Sequence, residues 1–133
     1  MPPPSKPRVL VVDDEPSNRS IVQRVLSGAG YDVTAAGNAT DAVSALEASG
    51  PFALYVLDVL MPGVRGTELA ARIRQLQPDA RILYFTAYSQ ALFTNPERLL
   101  PGLEAVLQKP VSNRDLLEAA SQMLFGHKRG IEG

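Results

Sequence analysis

Asp13 and Asp14 stand directly behind the apolar run Val9-Leu10-Val11-Val12, and Asp58 stands directly behind Leu54-Tyr55-Val56-Leu57. A continuous apolar run of this length reads as a strand covered on both faces. If the two strands are parallel neighbours, all three carboxylates converge at one carboxyl edge of a sheet, where open α/β folds bind their ligands. At about 4 Å and an effective dielectric of roughly 20, each like-charge pair costs about 4 kcal/mol. Such a cluster needs a cation. Its ligands are all oxygen, because the chain has no Cys and its one His lies in the tail. Carboxylates completed by water suit a hard ion, magnesium in particular.

The elements that would hold these residues follow from periodicity and turn chemistry. Pro16 suits the first turn of a helix whose inward face is read as Ile21, Val22, Val25, Leu26 and Ala29, ending at Gly28 to Gly30. Asp32 to Ala36 is a second strand. Asn38 or Thr40 caps a helix with the stripe Ala39, Ala42, Val43 and Leu46, which Gly50-Pro51 closes. Phe52 to Leu57 is the third strand, residues 61–66 form a loop, and the next helix turns Leu69, Ile73 and Leu76 inward. Arg81 to Phe85 is the fourth strand. Between 87 and 104, Asn95-Pro96 reads as a helix start and Pro101-Gly102 as a stop, so any helix there is short or broken. Ala105 to Gln108 is the fifth strand, followed by a helix from about Asn113 to Phe125 that packs Leu116, Leu117, Ala120 and Leu124. Right-handed crossovers then give an α/β fold, a doubly wound five-stranded parallel sheet of order 2-1-3-4-5, in a single domain. That order places strands one and three side by side.

Bulk properties narrow the function classes. The chain has 133 residues, 45% of them hydrophobic, enough for one domain with a real core. Residues 1–7, Met-Pro-Pro-Pro-Ser-Lys-Pro, read as an extended arm or linker end, residues 8–125 as the folded domain, and residues 126–133 as a disordered tail. The formal net charge is −1, and the only basic cluster is His127-Lys128-Arg129, which argues against nucleic-acid contact. Without Cys there is no disulfide, thiolate site or Cys nucleophile, and a single His cannot serve a catalytic triad or a zinc site. No apolar stretch approaches a membrane span or a signal peptide, so the expectation is a cytoplasmic protein without membrane insertion.

Five signals occur in chain order, each at the carboxyl end of an expected strand or just beyond it: Asp13-Asp14, Asp58, Met61-Pro62-Gly63, Thr86-Ala87 and Lys109-Pro110. Together they resemble the receiver (response-regulator) domain of two-component signalling, over residues 8–125. The resemblance implies a flavodoxin-like fold and a signalling role rather than an enzyme's. It implies that Asp58 is the phosphoacceptor, taking a phosphoryl group from a phosphohistidine to form an acyl phosphate. It further implies Mg2+ held by Asp13, Asp14, Asp58 and the backbone carbonyl of Leu60, with Asp13 acting mostly through water. Lys109 and Thr86 would contact the phosphoryl oxygens, and Pro110 would follow a cis bond that aims the lysine. The implied partner is a histidine kinase or histidine phosphotransfer domain. The segments 82–88 and 107–110 are similar to receivers that end hybrid histidine kinases, so a covalently linked upstream kinase is a further expectation.

Each residue also has a plainer reading: Asp13, Asp14 and Glu15 as acids at a helix N-terminus, Asp58 as a turn residue, Thr86 as a cap and Lys109 as a surface charge. One position departs from the family pattern. Three residues before Lys109, where receivers carry an aromatic that swings inward on activation, this chain has Val106. Phe85 and Tyr88 are the neighbouring aromatics that could stand in for it. Leu60 and Tyr88 would also shield the acyl phosphate from water and prolong its life. Two other functions remain open from sequence: a magnesium-dependent phosphohydrolase using Asp58, against which stands Leu60 where such enzymes need a second acid, and an interaction module that is never phosphorylated.

Overall fold

Val9 to Val12 and Leu54 to Leu57 are buried along their whole length, and they form adjacent strands inside a parallel sheet. The computed structural model describes residues 6–61, 64–86, 103–109 and 111–125. In chain order the elements are β1 (Arg8–Val12), α1 (Pro16–Gly28), β2 (Asp32–Ala36), α2 (Ala39–Ser49), β3 (Leu54–Asp58), β4 (Leu60–Met61), β5 (Val64–Arg65), α3 (Gly66–Leu76), β6 (Ile82–Thr86), β7 (Glu104–Gln108) and α4 (Asn113–Phe125). The main sheet runs β2-β1-β3-β6-β7, every pairing parallel, which is the expected order 2-1-3-4-5.

Because side chains alternate along a strand, the sheet divides its apolar residues between two faces. Leu10, Val12, Tyr55, Leu57, Ile82 and Tyr84 pack under Ala42 and Leu46 of α2 and Leu69, Ala70 and Ile73 of α3. Val9, Val11, Leu54, Val56, Leu83 and Phe85 pack under Val22 and Leu26 of α1 and Leu116 and Ala120 of α4. Helix ends are anchored by specific side chains. Asn38 is the cap of α2, its side-chain oxygen accepting from the Asp41 N–H at 2.7 Å, so the choice between Asn38 and Thr40 falls to Asn38. Arg81 donates to the carbonyls of Met123 and Leu124 at 3.0 and 3.1 Å, satisfying groups that the last turn of α4 leaves unpaired.

Several sequence expectations need correction. Ile21 and Leu76, read as inward, are 50% and 51% exposed. On α1 the buried pair is Val22 and Leu26, four apart, which turns Ile21 about 100° away from the sheet. Leu76 is the last residue of α3, one turn beyond Ile73. Ala29 lies past the end of α1 and is exposed. Phe52 is buried but precedes β3, which starts at Leu54. The expected loop 61–66 contains a small antiparallel ladder in which Leu60 pairs with Arg65 and Met61 with Val64. The expectations for residues 1–5, Pro62-Gly63, Tyr88, Asn95-Pro96, Pro101-Gly102, Pro110 and 126–133 lie outside the described residues.

Candidate functional site

The carboxyl edge of the sheet collects the chemically capable residues because β1 and β3 are neighbours in register, Val12 opposite Leu57. Asp13 and Asp58 are then the next positions along two adjacent strands. Both are buried, 3% and 8% exposed, whereas Asp14 is exposed. One carboxylate oxygen from each of Asp13, Asp14 and Asp58 lies within 4.8 Å of the others. Three oxygens so arranged are the donors a hard divalent cation takes, since each is anionic and no softer ligand joins them among the described residues.

Lys109, the residue after β7, reaches back across the edge. Its ammonium Nζ is 3.6 Å from Asp13 Oδ2 and 3.7 Å from Asp58 Oδ1, which places one positive charge between two buried negative ones. Asp13 is further held by the Glu15 N–H, which donates to its Oδ1 at 2.9 Å. Its own backbone N–H donates to the Ala36 carbonyl at 3.2 Å, tying the end of β1 to the end of β2.

Asp58 is positioned by the chain that follows it. The Val59 N–H donates to the Phe85 carbonyl at 3.0 Å, extending the β3–β6 pairing past Asp58. The ladder of β4 and β5 then returns the chain so that the Gly66 N–H donates to the Val59 carbonyl at 2.8 Å. There is no room for a side chain here: a Cβ on Gly66 would lie 2.5 Å from the Asp58 carbonyl oxygen and 2.9 Å from Val59 Cα. Leu60 opens β4 two residues beyond Asp58, and Thr86 ends β6 one residue beyond Phe85, the register partner of Asp58.

Of the residues singled out in sequence, Asp13, Asp14, Asp58 and Lys109 are brought together by their side chains. Leu60 and Thr86 are placed at the same edge by their backbone, and Pro110 lies outside the described residues. Val106 is half-buried and packs on the face of α2 and α3, directly opposite Tyr84 of β6. Phe85 points to the other face, so it is not the aromatic neighbour of Val106; Tyr84 is. The Tyr84 hydroxyl donates to Glu104 Oε2 at 3.3 Å, and Arg74 of α3 donates to the same oxygen at 2.5 Å. Burial, reinforced by the Glu104 charge, raises the Tyr84 pKa above the ordinary phenol range. Gly66 and Arg19, whose guanidinium donates to the Asp13 carbonyl, were not identified from sequence. A glycine at the first position of a helix directly after a turn was the one available signal for Gly66.

A five-stranded doubly wound parallel sheet with an acidic cluster and a bridging lysine at its carboxyl edge places the chain in the flavodoxin-like class of folds. The response regulator receiver domain family matches residues 9–121, and the chain belongs to that family. It is 35% identical over 118 residues to the response regulator receiver protein CpdR of Brucella abortus, covering 89% of this chain and 97% of that one. Among solved structures, a CheY-like receiver domain protein from Methanospirillum hungatei superposes with a TM-score of 0.80 at 31% identity, covering 97% of this chain and 100% of that one. The response regulator TrrA of Thermotoga maritima, solved in complex with Mg2+ and BeF, gives 0.76 at 34% identity over 89% and 99%. Other relatives are longer: the match to the sensor histidine kinase GacS of Pseudomonas protegens, 36% identical, takes in 84% of this chain and 12% of that one. The chain is thus a two-component receiver domain, a signalling module of a family whose members interact with histidine kinases or phosphotransfer proteins. No helix among the described residues is long and apolar enough to cross a membrane.

Proposed function

We propose that Asp58 accepts a phosphoryl group from a phosphohistidine of a histidine kinase or histidine phosphotransfer domain. The observation that carries this is the placement of the Lys109 ammonium, 3.7 Å from Asp58 and 3.6 Å from Asp13, inside a cluster of three converging carboxylates. In the transfer, an Asp58 carboxylate oxygen forms a bond to phosphorus as the phosphorus–nitrogen bond breaks. The bonding pair stays on the imidazole nitrogen of the donor. A carboxylate is a weak nucleophile, so the site contributes positioning and charge compensation rather than covalent activation. Lys109 would pair with phosphoryl oxygens, and Thr86, which ends β6 at the same edge, would offer its hydroxyl to another of them.

Asp13, Asp14, Asp58 and the Leu60 carbonyl would hold Mg2+, as the oxygen-only donor set and the Mg2+-containing TrrA complex both support. When bound, the ion neutralises charge on the phosphoryl oxygens. The phosphoryl group carries about 1.5 to 2 negative charges where the carboxylate carried one, and the Lys109 ammonium is placed to meet them. The donor kinase and the receiver would meet in the cytoplasm. Acetyl phosphate or a phosphorylated phosphotransfer domain, incubated with the chain and magnesium, is expected to raise its intact mass by one phosphoryl group. Asp58→Asn should abolish the gain; incorporation that survives this substitution refutes the assignment.

A further inference from the structure

Arg19 lies one turn inside α1, its N–H bonded to the Glu15 carbonyl at 3.0 Å, and its half-buried side chain turns back toward the acidic edge. There Nη1 donates to the backbone carbonyl of Asp13 at 2.6 Å. That carbonyl belongs to the planar peptide unit joining Asp13 to Asp14. Orienting it therefore orients the Asp14 N–H and Cα, and with them the direction in which the Asp14 carboxylate leaves the backbone. Asp13 is independently held through its N–H by Ala36, through Oδ1 by Glu15 and beside Oδ2 by Lys109. Asp14 is exposed, and the guanidinium holds the peptide unit that precedes it.

The same end of the guanidinium lies beside Gly37, the residue after β2. A Cβ there would lie 3.0 Å from Arg19 Nη1, tighter than ordinary contact, and 3.5 Å from Cζ, so a side chain at this position would displace the guanidinium by a few tenths of an ångström from its place on the Asp13 carbonyl. We infer that Arg19 is a positioning residue for the cation site, acting through the Asp13–Asp14 peptide, and that Gly37 is the clearance it requires. This rests on the metal reading proposed above.

The test measures Mn2+ affinity of the full chain by electron paramagnetic resonance of the free ion, with thermal melts in chelator run in parallel. Loss of an outer-shell partner of a metal ligand typically weakens binding about 10- to 100-fold. Arg19→Met should weaken Mn2+ binding about tenfold or more, and Arg19→Lys, which keeps a cationic donor, should recover part of it. Gly37→Ala should weaken binding when Arg19 is present and add nothing in the Arg19→Met background, a dependence that a merely structural glycine would not show. Equal Mn2+ affinity for wild type and Arg19→Met overturns the inference alone. Equal losses from Gly37→Ala in both backgrounds overturn the role given to Gly37. If Arg19→Met does not fold, wild-type affinity in both Arg19→Lys and Gly37→Ala overturns the inference. Absence of Mn2+ binding by the unmodified chain overturns the metal reading itself, and the inference with it.

Discussion

Lys109 is the side chain on which the charge balance of the edge turns. One ammonium, about a quarter exposed, faces two buried carboxylates and a third nearby. Removing it takes away the ammonium that faces these buried like charges, and breaking a fully buried pair typically costs about 3–5 kcal/mol. With the partial exposure of Lys109, Lys109→Met is expected to lower stability by about 1–3 kcal/mol in chelator, read from urea unfolding. Saturating magnesium should return much of that loss, since a ligand at 100 times its Kd stabilises by about 2.7 kcal/mol. The same variant should bind the cation more tightly, having lost a competing charge, while accepting the phosphoryl group more slowly. A variant with wild-type stability in chelator would show that Lys109 is not compensating the carboxylates.

At the scale of elements, the β3-to-α3 connection sets the position of the proposed phosphoacceptor. Its short ladder brings Gly66 against the Asp58 carbonyl, and both atoms that a Cβ would meet below 3 Å are backbone, which cannot swing aside like a side-chain end. Gly66→Ala is expected to cost about 2 kcal/mol or more in urea unfolding and to slow phosphoryl uptake, because Asp58 must move. Unchanged melts and uptake would mean that the ladder yields freely. This connection was read from sequence only as a loop, since two-residue strands carry no periodicity to detect. The strands themselves were legible: the apolar runs at Val9 and Leu54 are local signals that burial on both faces demands. Ile21 was misplaced for the complementary reason, because on a helix two adjacent apolar residues differ by about 100° and only the packing partner decides which one is buried.

Across the whole molecule, fully and partly buried phenols link stability to pH. Tyr31, Tyr55 and Tyr84 all titrate above the ordinary phenol range, each chiefly because burial disfavours the phenolate. Their folded pKa values exceed the unfolded value of about 10, so the folded state holds these protons more tightly. The stabilisation is complete below pH of about 10 and is lost as pH rises from there through the folded values. Tyr84→Phe should lose about 1 kcal/mol at neutral pH, with the hydrogen bond to Glu104, and decline less steeply above pH of about 10 than wild type. Urea unfolding at neutral and alkaline pH checks both. Parallel slopes for the two proteins would show that Tyr84 ionises as freely when folded as when unfolded. Tyr84, Glu104 and Arg74 also tie α3 to β6 and β7 on the face where Val106 sits.

By itself the sequence determined the five strands of the main sheet and the four helices around it, their order, and that Asp13, Asp14, Asp58, Thr86 and Lys109 would fall at or just past strand ends. Those facts follow from apolar runs and their immediate neighbours. Tertiary structure decided what lies within a few ångströms of what: Lys109 between Asp13 and Asp58, Gly66 against the Asp58 carbonyl, Arg19 on the Asp13 carbonyl, and Tyr84 rather than Phe85 beside Val106. Each of these contacts depends on strand register, on a helix's rotation about its axis or on the return path of a loop. Such quantities are set by how whole segments pack against one another, and no local run of residues encodes them.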